Sequence, residues 1–181
     1  MLFRSESFRI VAAGAGASKE VGVTGSFVLQ FINLGDAQHG TRALVEGSQA
    51  APTVITAGGD MTITARDDLR DSLLFAGGVA AGGTAGVGVS ANVLVRDGRV
   101  LAGIAEHSRI IAQGSTGLRI TATQSEDVTA IAVAGTVGGT AAVSGSANVA
   151  VHSNTTHAWI GRGVVVNGDN IGASPTQGVL V

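Results

Sequence analysis

Small apolar residues alternate with small polar ones along three stretches of this chain, and the three stretches are copies of one another. In the second copy Val87, Val89, Ala91, Val93 and Val95 take every other position, with Gly88, Ser90, Asn92 and Leu94 between them. The third copy sets Val143, Gly145, Ala147, Val149 and Val151 against Ser144, Ser146, Asn148 and Ala150; in the first, Val21, Val23, Gly25, Phe27, Leu29 and Phe31 form the row. A period of two predicts strands. The matching serines Ser26, Ser90 and Ser146 stand at intervals of 64 and 56 residues, periods that belong to stacked repeats rather than to one closed core.

Turn chemistry follows each strand: Asn33-Leu34-Gly35-Asp36, Arg96-Asp97-Gly98-Arg99 and Ser153-Asn154-Thr155-Thr156, tetrads that tolerate the positive φ of tight turns. Short strands come next, with Ala37 and His39, Ala102 and Ile104, and Ala158 and Ile160 as the predicted inward pairs. A strand–turn–strand unit then recurs, as Thr53–Thr56, Gly58-Gly59-Asp60 and Met61–Thr64, as Arg109–Ala112, Gly114-Ser115 and Leu118–Thr121, and as Gly163–Val166 and Gly168-Asp169. The charged runs Arg66–Asp71 and Gln124–Asp127 read as solvated corners.

The expected fold is all-β: a parallel β-helix, or β-solenoid, of three imperfect repeats of 56–64 residues at 9–72, 73–128 and 129–181. At about 20 residues per coil each repeat would make about three coils, and about nine coils rising about 4.8 Å each would form a rod about 40 Å long. The eight extra residues of the longer period are assigned to Arg42–Pro52, as a loop extruded at a corner. Ser5–Val11 aligns with Ser125–Ile131, so Met1 opens in mid-repeat, and Gly178–Val181 stops inside a strand. The expectation is a segment of a longer array, with adjoining repeats as its immediate partners.

Composition narrows the interior. Apolar residues are 45% of the chain but aromatics only 3%, with no Tyr and 28 Gly, so facing walls must sit closer than the roughly 10 Å of ordinary stacked sheets. Charged residues are 13% with a net charge of −2, and the arginines form no basic stripe, which excludes a nucleic-acid partner. With no Cys there is no disulfide framework or thiolate metal site. Met1–Glu6 reaches charge before any apolar run develops, unlike an export signal. Leu73–Val95 and Ala130–Val151 are uncharged, but Gly77-Gly78, Gly82-Gly83 and Gly138-Gly139 oppose membrane helices.

No motif carries catalysis or a cofactor. His39, His107, His152 and His157 are scattered and make a poor ligand set for zinc. Gly58-Gly59-Asp60 lacks the tandem copies of a calcium-binding nonapeptide, and Gly82–Gly88 lacks the Lys and the following helix of a phosphate loop. Asp67-Asp68 and Glu126-Asp127, the candidate acids of a polysaccharide-cleaving β-helix, are expected at equivalent corners of successive repeats and so read as features of the array. The Thr-x-Thr pairs Thr62/Thr64 and Thr121/Thr123 are too few for an ice-binding wall. Trp159, with His157 beside it on the outward face, is the weak candidate binding residue: an anchor for a partner, or a ring lying over a neighbouring coil.

The run Val133–Val149, then Asn154–Gly161 and the Gly163–Asp169 strand and turn, resembles the repeats of filamentous haemagglutinin-like and leukotoxin-type bacterial surface adhesins. The resemblance implies a right-handed parallel β-helix, two-partner secretion through an outer-membrane exporter, and a place on the cell surface or in the medium. It implies a structural shaft that presents a binding region elsewhere, with host cells or glycans as partners of the whole protein. The alternative is a carbohydrate- or host-protein-binding module, or a polysaccharide-active enzyme, built on a solenoid wall.

Overall fold

The structure, a computed structural model, describes residues 1–32, 40–169 and 174–181. These form strands β1 (Leu2–Glu6), β2 (Arg9–Ser18), β3 (Val21–Ile32), β4 (Thr41–Val45), β5 (Thr53–Ala57), β6 (Met61–Gly82), β7 (Ala85–Ile104), β8 (Ser108–Ala112), β9 (Gly117–Gly138), β10 (Ala141–Ile160), β11 (Val165–Val166) and β12 (Gly178–Leu180). Sheet A runs from β1 and β2 through β6 to β9 and β12, sheet B from β3 and β4 through β7 to β10, and sheet C through β5, β8 and β11. Every pairing is parallel. The chain therefore winds through A, B and C and returns beside itself, as a solenoid does. Among the described residues no helix is long and apolar enough to cross a membrane.

Register follows the sequence repeat. Ser26 pairs with Ser90 and Ser90 with Ser146, and Ser5 pairs with Asp68, which pairs with Ser125. The coil count differs from expectation. Neighbouring strands join residues one whole repeat apart, such as Val87 and Val143, so a repeat makes one wide circuit instead of three narrow ones. Three rungs at about 4.8 Å rise about 14 Å, not about 40 Å.

The cause is strand length. β6 and β9 have 22 residues each and β7 and β10 have 20, because predicted turns and corners are strand interiors. Arg96–Arg99 lies within β7, Ser153–Thr156 within β10, and both charged runs within β6 and β9. Only a bulge between Leu69 and Ser72, with Asp71 at φ 49°, interrupts β6. The predicted turn at 33–36 and the inward pair Ala37 and His39 lie outside the described residues. The extra residues of the first repeat also divide. Ile32 to Thr41 covers the step from Arg96 to Val100, and Val45 to Thr53 the step from Ile104 to Ser108, so the insertion is shared between 33–40 and 46–52.

Each circuit has two unlike halves. At one end, the base, sheet C props A and B apart, and Ile63, Ala65, Val100, Ala102, Ile104, Ile110, Leu118 and Ile120 fill the space. The predicted pairs Ala102/Ile104 and Ala158/Ile160 do point into this core. Beyond a second cluster of Val28, Ile32, Leu69, Leu74, Ala76 and Leu94, sheets A and B continue alone to tips such as Gly83-Thr84. We call this half the blade. Toward the tips its interior is too thin for any side chain on Gly86 or Gly22: a Cβ on Gly86 would lie 2.6 Å from the Val137 carbonyl oxygen, and one on Gly22 2.1 Å from that of Ala81. Thr24, Ser26, Ser90 and Asn92 are buried there, while Val23, Val79, Val89, Val133 and Val143 are exposed. The narrow interior anticipated from composition is present, but it is polar, and the valine row faces out.

Candidate functional site

Polar chemistry concentrates where base meets blade. Register stacks Ile32, Arg96 and His152 in one column of sheet B and Glu6, Leu69 and Glu126 in one column of sheet A. Arg96, 1% exposed, donates from Nη2 to Asp67 Oδ2 at 3.1 Å and brings Nη1 within 2.7 Å of Glu126 Oε1. Glu126 Oε2 lies 2.7 Å from His152 Nδ1. Asp67 Oδ1 and Arg96 Nε are buried without a hydrogen-bond partner. Burial pushes the Asp67 carboxyl above the ordinary carboxylate range, against the opposing pull of Arg96 and, more weakly, Arg4.

Asp68 is buried yet shifts the other way. Its carboxylate accepts from Arg66 Nε, Arg70 Nη2 and Ser125 Oγ. Arg66 foremost, with Ser125 and Arg70, holds it down to about 2 against the effect of burial. Arg66 also lies over the Phe3 ring, 5.8 Å from its centroid. Asp68 with Ser125 and Glu126 with Arg96 link successive circuits, and Asp67 with Arg96 links the two sheets of one circuit.

Inside the blade, hydroxyls and amides tie sheet B to sheet A. Ser26 Oγ donates to the Gly77 carbonyl at 2.6 Å and Ser90 Oγ to that of Val133 at 2.8 Å. Asn92 Nδ2 lies within hydrogen-bond reach of the Ile131 carbonyl at 2.7 Å, Asn148 Oδ1 at 2.9 Å and the Leu74 carbonyl at 3.4 Å. Asn92 Oδ1 has no partner, because the neighbouring rung carries Val28 where the ladder would supply an amide. Beside Asn92, Asn148 and His152 lies a cavity of about 150 Å³, walled also by Leu74 and Leu94.

Sequence-predicted positions scatter around this spine. Trp159 is half-buried on the outer face of sheet B, in the column of Leu44 and Gly103. It lies over Gly103, where a Cβ would meet its Cδ2 at 2.5 Å, and stacks on His157 at 5.4 Å between centroids. The neighbouring-coil contact is thus realised. His107 is exposed, and His39 lies outside the described residues. No group of three His, Cys, Asp or Glu able to hold a metal occurs among the described residues. Asp60 Oδ1 accepts from the backbone amides of Thr116 and Gly117, and Oδ2 accepts from Thr116 Oγ1. These bonds, Gly117 foremost, lower its carboxyl, so the Gly58-Gly59-Asp60 turn clasps the next circuit. Register sets Thr64 beside Thr121 but Thr62 beside Arg119, which breaks a Thr-x-Thr array.

Arg96 was assigned to a turn by its Asp-Gly neighbours. Parity held the contrary signal, since Ser90, Asn92, Leu94 and Arg96 share one side of a strand. Comparison of the chain with family models, curated proteins and solved structures gave no match.

Proposed function

We propose that this chain is a structural and presentation segment of a large secreted or surface-exposed bacterial adhesin or toxin, a right-handed solenoid whose repeats each add one rung. The in-register return of the chain after every repeat, with Ser26, Ser90 and Ser146 in one column, carries this reading. It supports a molecule that grows by adding copies of the same layer. The candidate acids Asp67, Asp68 and Glu126 are engaged by Arg96, Arg66, Arg70 and Ser125, which fits a wall better than a reaction centre. Each rung devotes 56 to 64 residues to about 4.8 Å of rise, so the segment displays broad faces more than it reaches. The resemblance to filamentous haemagglutinin-like repeats supplies the surface location and the outer-membrane exporter of the whole protein.

Electron microscopy of chains joined head to tail tests the proposal. Flat β-rich ribbons should lengthen by about 14 Å per copy; separate globules, or helical circular dichroism, would end it. A glycan array probed with the chain and with Trp159→Ala addresses the alternative. Binding lost in the variant would favour a carbohydrate module on the sheet B wall.

A further inference from the structure

The outer face of the blade on sheet B is apolar and uncharged. Val23, Phe27, Leu29, Phe31, Val143 and Val149 are each at least half exposed on it. No charged residue occurs in Val21–Phe31, Ala85–Val95 or Ala141–Val151, so covering it strips water from no ion. Three strands of about eleven residues span about 36 Å by 14 Å. Two such faces together bury roughly 1,000 Å², the lower bound for a biological interface of well-matched shape.

We infer that this face docks against the same face of a second copy of this chain, about a two-fold axis running along β7. The size gradient across the sheet selects that axis. Register places Phe27, Ala91 and Ala147 in one column, bulky on β3 and small on β10. A rotation about the strand direction lays β3 of one copy over β10 of the other at the same level. Phe27 then fills the hollow above the other copy's Ala147, Leu29 meets Val149, and Val89 meets its own equivalent on the axis. Toward the tip, the outward columns of sheet A run only from methyl or hydrogen to isopropyl, as in Ala13, Gly77 and Val133 or Ala17, Ala81 and Val137, with no aromatic ring set against an alanine. The inference concerns the three rungs formed by β3, β7 and β10.

Sedimentation velocity over a concentration series tests it, with circular dichroism confirming that each variant is folded. The 181-residue chain should be a dimer. Ala147→Phe and Phe27→Ala should each weaken association by about tenfold or more, and the double swap Phe27→Ala/Ala147→Phe should restore it. Val79→Lys, on sheet A, should leave it unchanged. A monomer at every concentration, an Ala147→Phe chain as dimeric as the parent, or a swap that fails to restore pairing would overturn the inference. So would flotation of a monomeric chain with phosphatidylcholine vesicles, which would assign the face to lipid. A nitroxide on Val89→Cys provides a second reading in an otherwise native chain: strong coupling between copies supports the axis, and its absence in a dimer refutes it.

Discussion

The base and the blade are built from the same strands, yet they turn opposite kinds of residue inward. In the base, Ile104 and Ile110 are fully buried because sheet C holds the other two sheets apart. In the blade, sheets A and B are joined by tips such as Gly83-Thr84 and close until glycine, alanine and small hydroxyl or amide side chains fill the space between them. Val79 is 58% exposed while Ser90 is fully buried. Hydrophobicity sets the order of residues along each strand, and the width of the gap decides which face looks in. The junction holds the charged spine, where both solutions meet.

The largest effect should come at that junction. Arg96→Ile, which copies the Ile32 of the preceding rung, leaves Asp67 and Glu126 without their buried partner and should cost about 3–5 kcal/mol in urea unfolding. Adding Asp67→Leu should recover much of the loss. A single variant as stable as the parent would mean the spine is solvated.

Equal truncations in the two halves should be unequal in cost. Ile110→Ala in the base should lose about 2–5 kcal/mol, whereas Val79→Ala on the blade should stay within about 0.5 kcal/mol. Comparable losses at both sites would erase the distinction between the halves. In the opposite sense, Gly86→Val should cost about 1–3 kcal/mol or more by overpacking, since its Cβ would press on the Val137 carbonyl at 2.6 Å.

Acid offers a finer probe. The Asp68 carboxyl is lowered from 3.8 to about 2, so its contribution is complete above the unfolded value and is lost as pH falls from about 4 toward 2. Asp67 is raised by burial and has the opposite sign: the folded state is favoured as pH falls through its elevated value. Asp68→Asn should lose less stability than the parent as pH falls from about 4 toward 2, the remaining loss belonging to groups such as Asp60, whose carboxyl is also lowered; an identical acid limb would assign it wholly to other groups. Smallest of all, Asn148→Ala removes one acceptor from Asn92 and should cost about 1 kcal/mol, read by the same unfolding.

Much of the fold was legible in the residues. The Ser26, Ser90 and Ser146 column, the inward Ala102 and Ile104, and the Gly58-Gly59-Asp60 turn all follow from period and turn chemistry. The coil count did not, because Arg96-Asp97-Gly98-Arg99 has the composition of a turn but sits where Asp67 and Glu126 neutralise Arg96 from the facing sheet. That partnership spans 29 residues and has no local signature. Parity alone also cannot say whether Val89 or Ser90 faces in. The deciding fact is the separation of two sheets, a property of the assembled circuit. The spine has no local signature for the same reason, whereas the outward side of Trp159 follows from the inward Ala158 and Ile160 beside it.

Single cysteines in this cysteine-free chain test the inverted blade most directly. Thiol alkylation of folded Val79→Cys and Ser90→Cys compares an outward position of sheet A with an inward position of sheet B. The account predicts that Val79→Cys reacts nearly as fast as the unfolded chain, while Ser90→Cys is protected until global unfolding. Protection at position 79 with rapid reaction at position 90 would contradict it.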